Sequence, residues 1–398
     1  MSKWKTILLD EILSQYSPAL IEPKPTETIK FAGVRWYGKG LFIREERLGS
    51  EVGGKCYALK PGTIIYNRLF AWKQSFGVVS SDFQNVVVSN EFPQFDVDQE
   101  QATPEFLSLY CSSPLFAELA LSLSSGSAAV SRNRLKEKDF LSLPVVLPPL
   151  STQKQITEII ASIDHSHDSI IREMSAAMDA RAAILDKLLG VLPTTAETTT
   201  LGEAAQWSSG GTPKADNPAY YDGSIPWAVI GDIKGRSIRC TRRKITSRGL
   251  DAIGGEKKLV PGKTVLVTMY GTIGNCAVTE VPMATNQAIC RGIPREDVDP
   301  NYIRLWISAK QANLIALGEG KTQVNINKKK IESFPIVIPD SKSQRELVEV
   351  MESVDNQIET LEKEAHQTAA LRETLLAGLL IGDTAPLTPI TGSTSGPR

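Results

Sequence analysis

The stretch QRELVEVMESVDNQIETLEKEAHQTAALRETLLAGLLIG, residues 344–382, decides the fold. Leu347, Met351, Val354, Ile358, Leu361, Ala365 and Thr368 recur along it at alternating steps of four and three. Such spacing averages about 3.5 residues and keeps one narrow stripe on one side of a helix, the requirement of a coiled-coil seam. A second stretch, residues 153–192, places Ile156, Ile160, Ile163, His167, Ile170, Met174, Ala177, Arg181, Ile184 and Leu188 in the same rhythm. At about 1.5 Å per residue each predicts a helix roughly 55–60 Å long, a spacer rather than the inside of a small domain.

The two stretches are copies. Residues 140–189 align without a gap with residues 331–380, and LPVVLP (143–148) matches FPIVIP (334–339). Gln153 faces Gln344, Asp164 faces Asp355, and Arg181 faces Arg372. Upstream the matches are looser but keep their order. Leu9-Asp10-Glu11 answers Leu201-Gly202-Glu203, and Leu59-Lys60-Pro61-Gly62 answers Leu259-Val260-Pro261-Gly262. Ser89-Asn90 answers Thr285-Asn286, and the segment from Thr103 answers the segment from Asp299. The chain is one unit used twice.

Each unit reads as a globular body followed by a long helix. In the bodies, LxPG followed by a β-branched run (63–66 and 264–268) is turn-then-strand chemistry, and Val86-Val87-Val88 and Ala277-Val278 are further short strands. Residues 105–123 and 301–317 carry helical periodicity behind Thr-Pro or Asp-Pro starts. The expected fold is α+β: two tandem α+β bodies, each followed by a long helix, with the helices pairing as an antiparallel coiled coil about a rough two-fold axis. The expected boundaries are 1–150 for the first body, 151–192 for its helix, 193–200 for a polar linker, 201–340 for the second body and 341–382 for its helix, with 383–398 as a disordered tail. Ser151 and Ser341 are the expected helix N-caps.

At 398 residues the chain exceeds what one hydrophobic core usually serves. No apolar run approaches the length of a membrane span, and the start lacks the layout of a signal peptide. Five scattered cysteines without metal-ligand spacing suit a reducing, cytoplasmic setting. The net charge of −1 hides a sorted distribution. Lys234, Arg236, Arg239, Arg242, Arg243, Lys244 and Arg248 form a run with no acid among them, and Arg132, Arg134, Lys136 and Lys138 form a second cluster, whereas the helix after Ser341 is rich in glutamate.

Catalytic motifs are thin. Asn217-Pro218-Ala219-Tyr220 looks like the adenine-methylating tetrapeptide but lacks its second proline, and no glycine-rich cofactor loop precedes it. His165 and His167 sit two apart, so on a helix they point about 200° from each other and cannot share a metal. The chain reads as having no catalytic residues, no metal site and no enzyme activity of its own. Arg181 and Arg372, at matched seam positions, read as register-fixing or partner-helix residues.

The sequence resembles a known family. Gly210-Gly211-Thr212-Pro213, then Tyr220 to Trp227 (YYDGSIPW) and Gly231-Asp232-Ile233, resemble the opening of type I restriction-modification target recognition domains. Leu259-Val260-Pro261-Gly262, Tyr270-Gly271-Thr272-Ile273-Gly274 and Thr285-Asn286-Gln287 continue in the family's order, and the helix with Gln344, Asp355, Ile358 and Leu375 to Leu380 is similar to its spacer helix. Gly33 to Gly40 (GVRWYGKG) and Ser89 to Pro93 (SNEFP) resemble a different recognition domain of that family, without the GGTP opening or the YGTxG turn. The resemblance implies a DNA specificity subunit that reads a bipartite, asymmetric duplex site and docks two modification (methyltransferase) subunits, with restriction subunits able to join. S-adenosylmethionine, ATP and Mg²⁺ would belong to those partners and none to this chain, and no membrane is implied. Two readers should face one side of a duplex one helical turn (~34 Å) apart. The alternatives are a coiled-coil scaffold that binds only protein, or the recognition module of a fused methyltransferase or nuclease.

Phosphate contacts position such a protein and base-edge contacts specify sequence. The phosphate candidates are the run Arg236, Arg239, Arg242, Arg243, Lys244 and Arg248, with Lys39, Arg132 and Arg134. Base readers are expected on glycine-rich turns, where a small backbone allows close approach: Thr212, Lys214, Tyr270, Thr272, Asn286, Gln287, Lys321 and Gln323. In the first body the equivalents are Arg35, Trp36, Tyr37, Asn67, Arg68, Trp72 and Lys73. Trp36 and Trp227 read equally well as core aromatics, and Asn286 as a turn brace.

Overall fold

A computed structural model describes residues 4–125, 133–318 and 325–381. The predicted tail lies outside them. The chain divides into two compact units, one holding the described residues up to Ile170 together with those from Glu364, the other running from Ile171 to Lys363. Each unit is a body plus parts of both long helices, Leu150–Gly190 and Ser341–Ile381.

In the first body a four-stranded antiparallel sheet runs in the order Leu13–Tyr16, Gln94–Val97, Ile64–Tyr66 and Phe76–Val78. A five-stranded sheet is built on the hairpin Thr28–Val34 and Leu41–Leu48, with Val86–Val88 added parallel to the first of these. The β-branched run after Pro61-Gly62 is thus a central strand, entered through Gly62 at φ 83°. Tyr66, Phe76, Phe95, Phe116 and Phe140 make the centre of the core, with Tyr66 and Phe140 ring centroids 4.8 Å apart. The second body repeats the scheme. Its five-stranded sheet runs Ala205–Ser209, Ile289–Pro294, Val265–Thr268, Cys276–Thr279 and Ser237–Ile238, beside a three-stranded sheet centred on Tyr221–Ala228.

Several expectations need correction. Residues 105–123 form two helices, Pro104–Cys111 and Pro114–Leu123, because Pro114 supplies no N–H and disfavours helix in the residue before it. Thr103 and Ser113 cap them by accepting from the Phe106 and Phe116 amides at 3.2 Å. The segment 301–317 divides likewise into Pro300–Ala309 and Gln311–Ala316. Within the expected linker 193–200, Glu197–Thr200 is a strand, paired antiparallel with Pro335–Ile338 so that Thr199 faces Ile336. Backbone pairing needs no apolar side chain, so its polar composition concealed it. In the first body Lys5–Leu8 pairs with Pro144–Leu147 in the same way. Neither serine caps its helix. The Thr152 and Gln153 amides donate to Pro149 O, and Asp340 caps the second helix by accepting from the Lys342 and Ser343 amides at 2.9 and 3.0 Å.

A duplicated glutamine fastens each helix to its body. Gln153 is fully buried; its Oε1 accepts from the Thr103 amide at 2.9 Å, and its Nε2 donates to Gln101 O and Pro148 O, both at 2.9 Å. Gln344 repeats the pattern on the Asp299 amide, Asp297 O and Pro339 O at 2.8, 3.0 and 2.8 Å. Since Thr103 and Asp299 are themselves N-caps, one amide group ties the long helix to the cap of a body helix.

The pairing of the long helices is visible inside each unit. In the first unit, Ile156 and Ile160 near one helix start share the core with Leu376 and Leu380 near the other helix end. In the second, Leu185 and Leu189 share the core with Leu347, Val348 and Met351. A start meets an end both times, so the helices run antiparallel. Each fully buried side chain of this kind contributes roughly 1.5–3 kcal/mol. Toward its end the first helix buries Leu185 and Leu189 more fully than the expected seam residues Ile184 and Leu188, because the second body packs on that side. Among the described residues no single helix is long and apolar enough to cross a membrane. The bent pair formed by Pro104–Cys111 and Pro114–Leu123 passes by composition, yet its Phe106, Leu107, Tyr110 and Phe116 lie in the first body's core.

Candidate nucleic-acid interface

In the second body three turns converge on one edge. Gly210 must be glycine, since a Cβ there would lie 2.1 Å from Asn286 O and 2.3 Å from Thr285 O. This close approach lets the Gly211 amide donate to Thr285 O at 2.8 Å and sets Thr212 Oγ1 against Gln287 Oε1. The Met269 amide then donates to Ala288 O at 2.8 Å, bringing the exposed Tyr270-Gly271-Thr272 turn beside Gln287. Gly271 at φ 68° and Gly274 at φ 81° shape that turn, and Gln311 braces it through Ile273 O at 2.7 Å. Thr212, Lys214, Tyr270, Thr272 and Gln287 all face solvent. Asn286 is different: its Oδ1 accepts from the Ala288 amide at 3.2 Å, so that oxygen holds a turn. Lys321 and Gln323 lie outside the described residues.

Three of the seven cations in the basic run are folded back on acids. Arg236 reaches the second long helix, donating to Asn356 Oδ1 and Glu359 Oε1 at 2.9 and 2.6 Å. Arg239 pairs with Glu280 at 2.7 Å; hydrogen bonds from Ser237 and then Arg239 hold that carboxyl below the usual range. Arg242 pairs with Asp232 at 3.3 Å while staying largely exposed. Arg243 lies over Tyr221 and Trp227, 4.7 and 5.3 Å from their centroids. Lys234, Arg243, Lys244 and Arg248 form no ion pair among the described residues. Trp227 is a core residue, 2% exposed, with Nε1 donating to Gly211 O at 3.0 Å.

The first body assembles a different edge. The turn Arg35 to Gly40 closes through the Arg35 amide and Gly40 O at 2.9 Å. It is tied to the 67–75 turn by the Tyr37 amide on Lys73 O and the Gly38 amide on Gln74 O, both 2.9 Å. Trp36, Tyr37, Trp72 and Lys73 are thereby brought together, with Lys73 Nζ 3.7 Å from the Trp36 centroid and 5.0 Å from that of Trp72. Arg35 lies over Phe42 at 5.0 Å, and Lys39 is exposed. Asn67 and Arg68 both have partners within the body. Asn67 Oδ1 accepts from the Leu69 amide at 3.0 Å, while Arg68 donates to Asn90 O and the Glu137 carboxylate. Arg134 pairs with Glu91, and Arg132 lies outside the described residues. Sequence reasoning missed Phe42 and Phe70, the rings against which Arg35 and Trp36 pack; the unbroken run RLFAWK was the available signal for the second.

Hydrogen bonding also corrects the internal alignment. The Arg68 amide donates to Glu91 O and the Leu135 amide to Arg68 O, as the Met269 amide does to Ala288 O and the Ile326 amide to Met269 O. Ser89 therefore answers Asn286, one position off the sequence alignment, and both brace the amide two residues on. Among the described residues no three His, Cys, Asp or Glu side chains are placed to hold a metal.

Duplicated α+β bodies, each running into a long helix that packs antiparallel with the other, define a class of twin-bodied proteins whose turns gather at a body edge. The chain belongs to the type I restriction modification DNA specificity domain family, whose model matches residues 1–176 and again 193–368. The specificity subunit of the type I restriction enzyme EcoR124I/EcoR124II of Escherichia coli is 25% identical over 52% of this chain and 52% of its own length. The chain thus spans about half the length of that relative. The HindI specificity subunit of Haemophilus influenzae is 22% identical over 96% of this chain and all of its own. The type I restriction-modification S subunit from M. genitalium shares the fold, with a TM-score of 0.57 and 13% identity over 96% of this chain and 97% of that one.

Proposed function

We propose that the chain is the DNA sequence-specificity subunit of a type I restriction-modification complex. Each body reads one half of a bipartite, asymmetric duplex site, and the paired helices dock two methyltransferase subunits, to which restriction subunits add. The observation that carries this reading is that the family's specificity domain matches twice, over two bodies fastened by the same buried glutamine to paired helices. The chain itself catalyses nothing in this account. S-adenosylmethionine, ATP and Mg²⁺ bind the partners, and the complex works in the cytoplasm.

In the second body Thr212, Gln287, Tyr270 and Thr272 reach base edges, while Lys244 and Arg248 meet phosphate. In the first body the Trp36–Tyr37 turn does the reading, with Arg35, Lys39 and Lys73 supplying charge. Single-molecule methylome sequencing of a host expressing this chain with its modification subunit tests the proposal. A single split methylated motif is expected, and methylation that does not depend on this chain would refute it.

A further inference from the structure

Between Thr28–Val34 and Leu41–Leu48 the first body presents two adjacent aromatic side chains to solvent, Trp36 at 41% and Tyr37 at 59% exposure. Tyr37 is held at φ 60° and Gly38 at 67°. The left-handed region is disfavoured for a residue with a β carbon, and such residues concentrate at working sites. The two backbone bonds to Lys73 and Gln74 fix this apex, so it is a rigid projection. The Trp36 ring is not free to stack on a base. Lys73 Nζ sits 3.7 Å from its centroid, Phe70 packs against it at 5.2 Å, and Tyr37 meets it edge-on at 6.5 Å. What the apex offers is an apolar edge rimmed by Arg35, Lys39 and Lys73, none of which forms an ion pair among the described residues. Among the described residues the second body has no adjacent pair of exposed aromatics, since Trp227 is buried and Tyr270 stands among polar turn side chains.

We propose that Trp36 and Tyr37 read the 5-methyl group of a thymine in the major groove, so that the first body specifies its half-site by apolar contact. The inference rests on the DNA-reading role proposed above. Thymine is the ordinary base whose major-groove edge carries an apolar group, and the surrounding cations suit the flanking phosphates. The second body, with Thr212 and Gln287 at its edge, reads hydrogen-bonding groups instead.

The test selects a preferred duplex from a random-sequence DNA library with the full-length chain, then replaces each thymine in turn by deoxyuridine. That replacement removes the methyl group alone and needs no protein variant. At one or more thymines of one half-site, binding should weaken about fourfold, the value of one buried methyl group. The variants Trp36→Ala and Tyr37→Ala should bind thymine and uracil duplexes equally at those positions. Equal affinity of the wild-type chain for thymine and uracil at every position overturns the inference while leaving the DNA-reading role intact. Failure of the chain to enrich any sequence overturns both.

Discussion

Arg181 on the first long helix grips both carboxylate oxygens of Asp355 on the second. At the repeat-equivalent positions, Arg372 on the second helix pairs with Asp164 on the first. The residues that align with each other in the repeat are thus the ones that exchange partners, and a slip of either helix by one turn would break both pairs. The environments differ. The Asp355 side chain is 8% exposed and has Arg304 of the body helix Pro300–Ala309 4.0 Å away, whereas that of Asp164 is 46% exposed. Burial lowers the Arg304 pKa, and the nearby Asp355 carboxylate opposes that shift.

Removing Asp355 should therefore cost far more than removing Asp164. Asp355→Asn leaves two arginines facing each other without a counter-ion and should lower stability by about 3–5 kcal/mol. Asp164→Asn breaks a half-exposed pair and should cost about 0–1 kcal/mol. Urea denaturation of the two variants measures the difference, and equal losses would mean that Asp355 is not the hub of its unit.

The buried glutamines give a second contrast. Gln153→Glu or Gln344→Glu keeps the acceptor but removes the donor that satisfies two carbonyls, placing a carboxylate against them. Each unsatisfied buried group costs about 1–3 kcal/mol, so with two carbonyls left unpaired each variant should lose at least about 2 kcal/mol. The loss should appear in the denaturation midpoint, and a near-neutral result would mean that the helix starts are held by apolar packing alone.

The cap at Asp340 should show in the pH dependence of stability. Hydrogen bonds from the Ser343 amide and hydroxyl hold its carboxyl below the usual value. A depressed pKa in the folded state means stabilisation that is fully present above the unfolded-state value, about 3.9, and lost as pH falls below it. Asp340→Ala should lower the melting temperature at pH 7, by an amount that shrinks as the pH falls below the unfolded-state value and through the lowered pKa of the folded state. A deficit that persists unchanged in acid would assign the effect to something other than the carboxylate.

In the basic run Arg236, Arg239 and Arg242 are paired with acids, whereas Lys244 and Arg248 form no ion pair among the described residues. Lys244→Ala with Arg248→Ala should flatten the salt dependence of DNA binding by roughly 0.9 for each phosphate that is no longer neutralised. Arg236→Ala, which loses its bonds to Asn356 and Glu359, should leave that slope unchanged. Binding isotherms across a salt series distinguish the two, and a flatter slope for Arg236→Ala would return it to the DNA face.

The long helices were legible in the sequence because a heptad records its seam in residue spacing, and the duplication was legible because Gln153, Asp164 and Arg181 recur in register. What the sequence concealed depended on partners far along the chain. The Arg236 to Arg243 run looks free until Glu359, Glu280 and Asp232 are seen beside it. Arg68 looks unpaired until Glu137, 69 positions on, is found to hold it. The Glu197–Thr200 strand carries no apolar alternation, since its pairing with Pro335–Ile338 is a matter of backbone alone. In the site, the glycine-rich turns were found from composition, but the close approach of Gly210 to Asn286 and the aromatic nest around Lys73 needed the fold.

On the proposed function the two bodies read DNA independently, and the helices hold them and dock the methyltransferase subunits without reading. Exchanging residues 1–140 for the first body of another family member, expressing the hybrid with the modification subunit and mapping methylated sites across the host genome tests it most directly. One half of the split site should change while the other half and the gap between them stay the same. A hybrid in which both halves change, or neither does, would contradict the account.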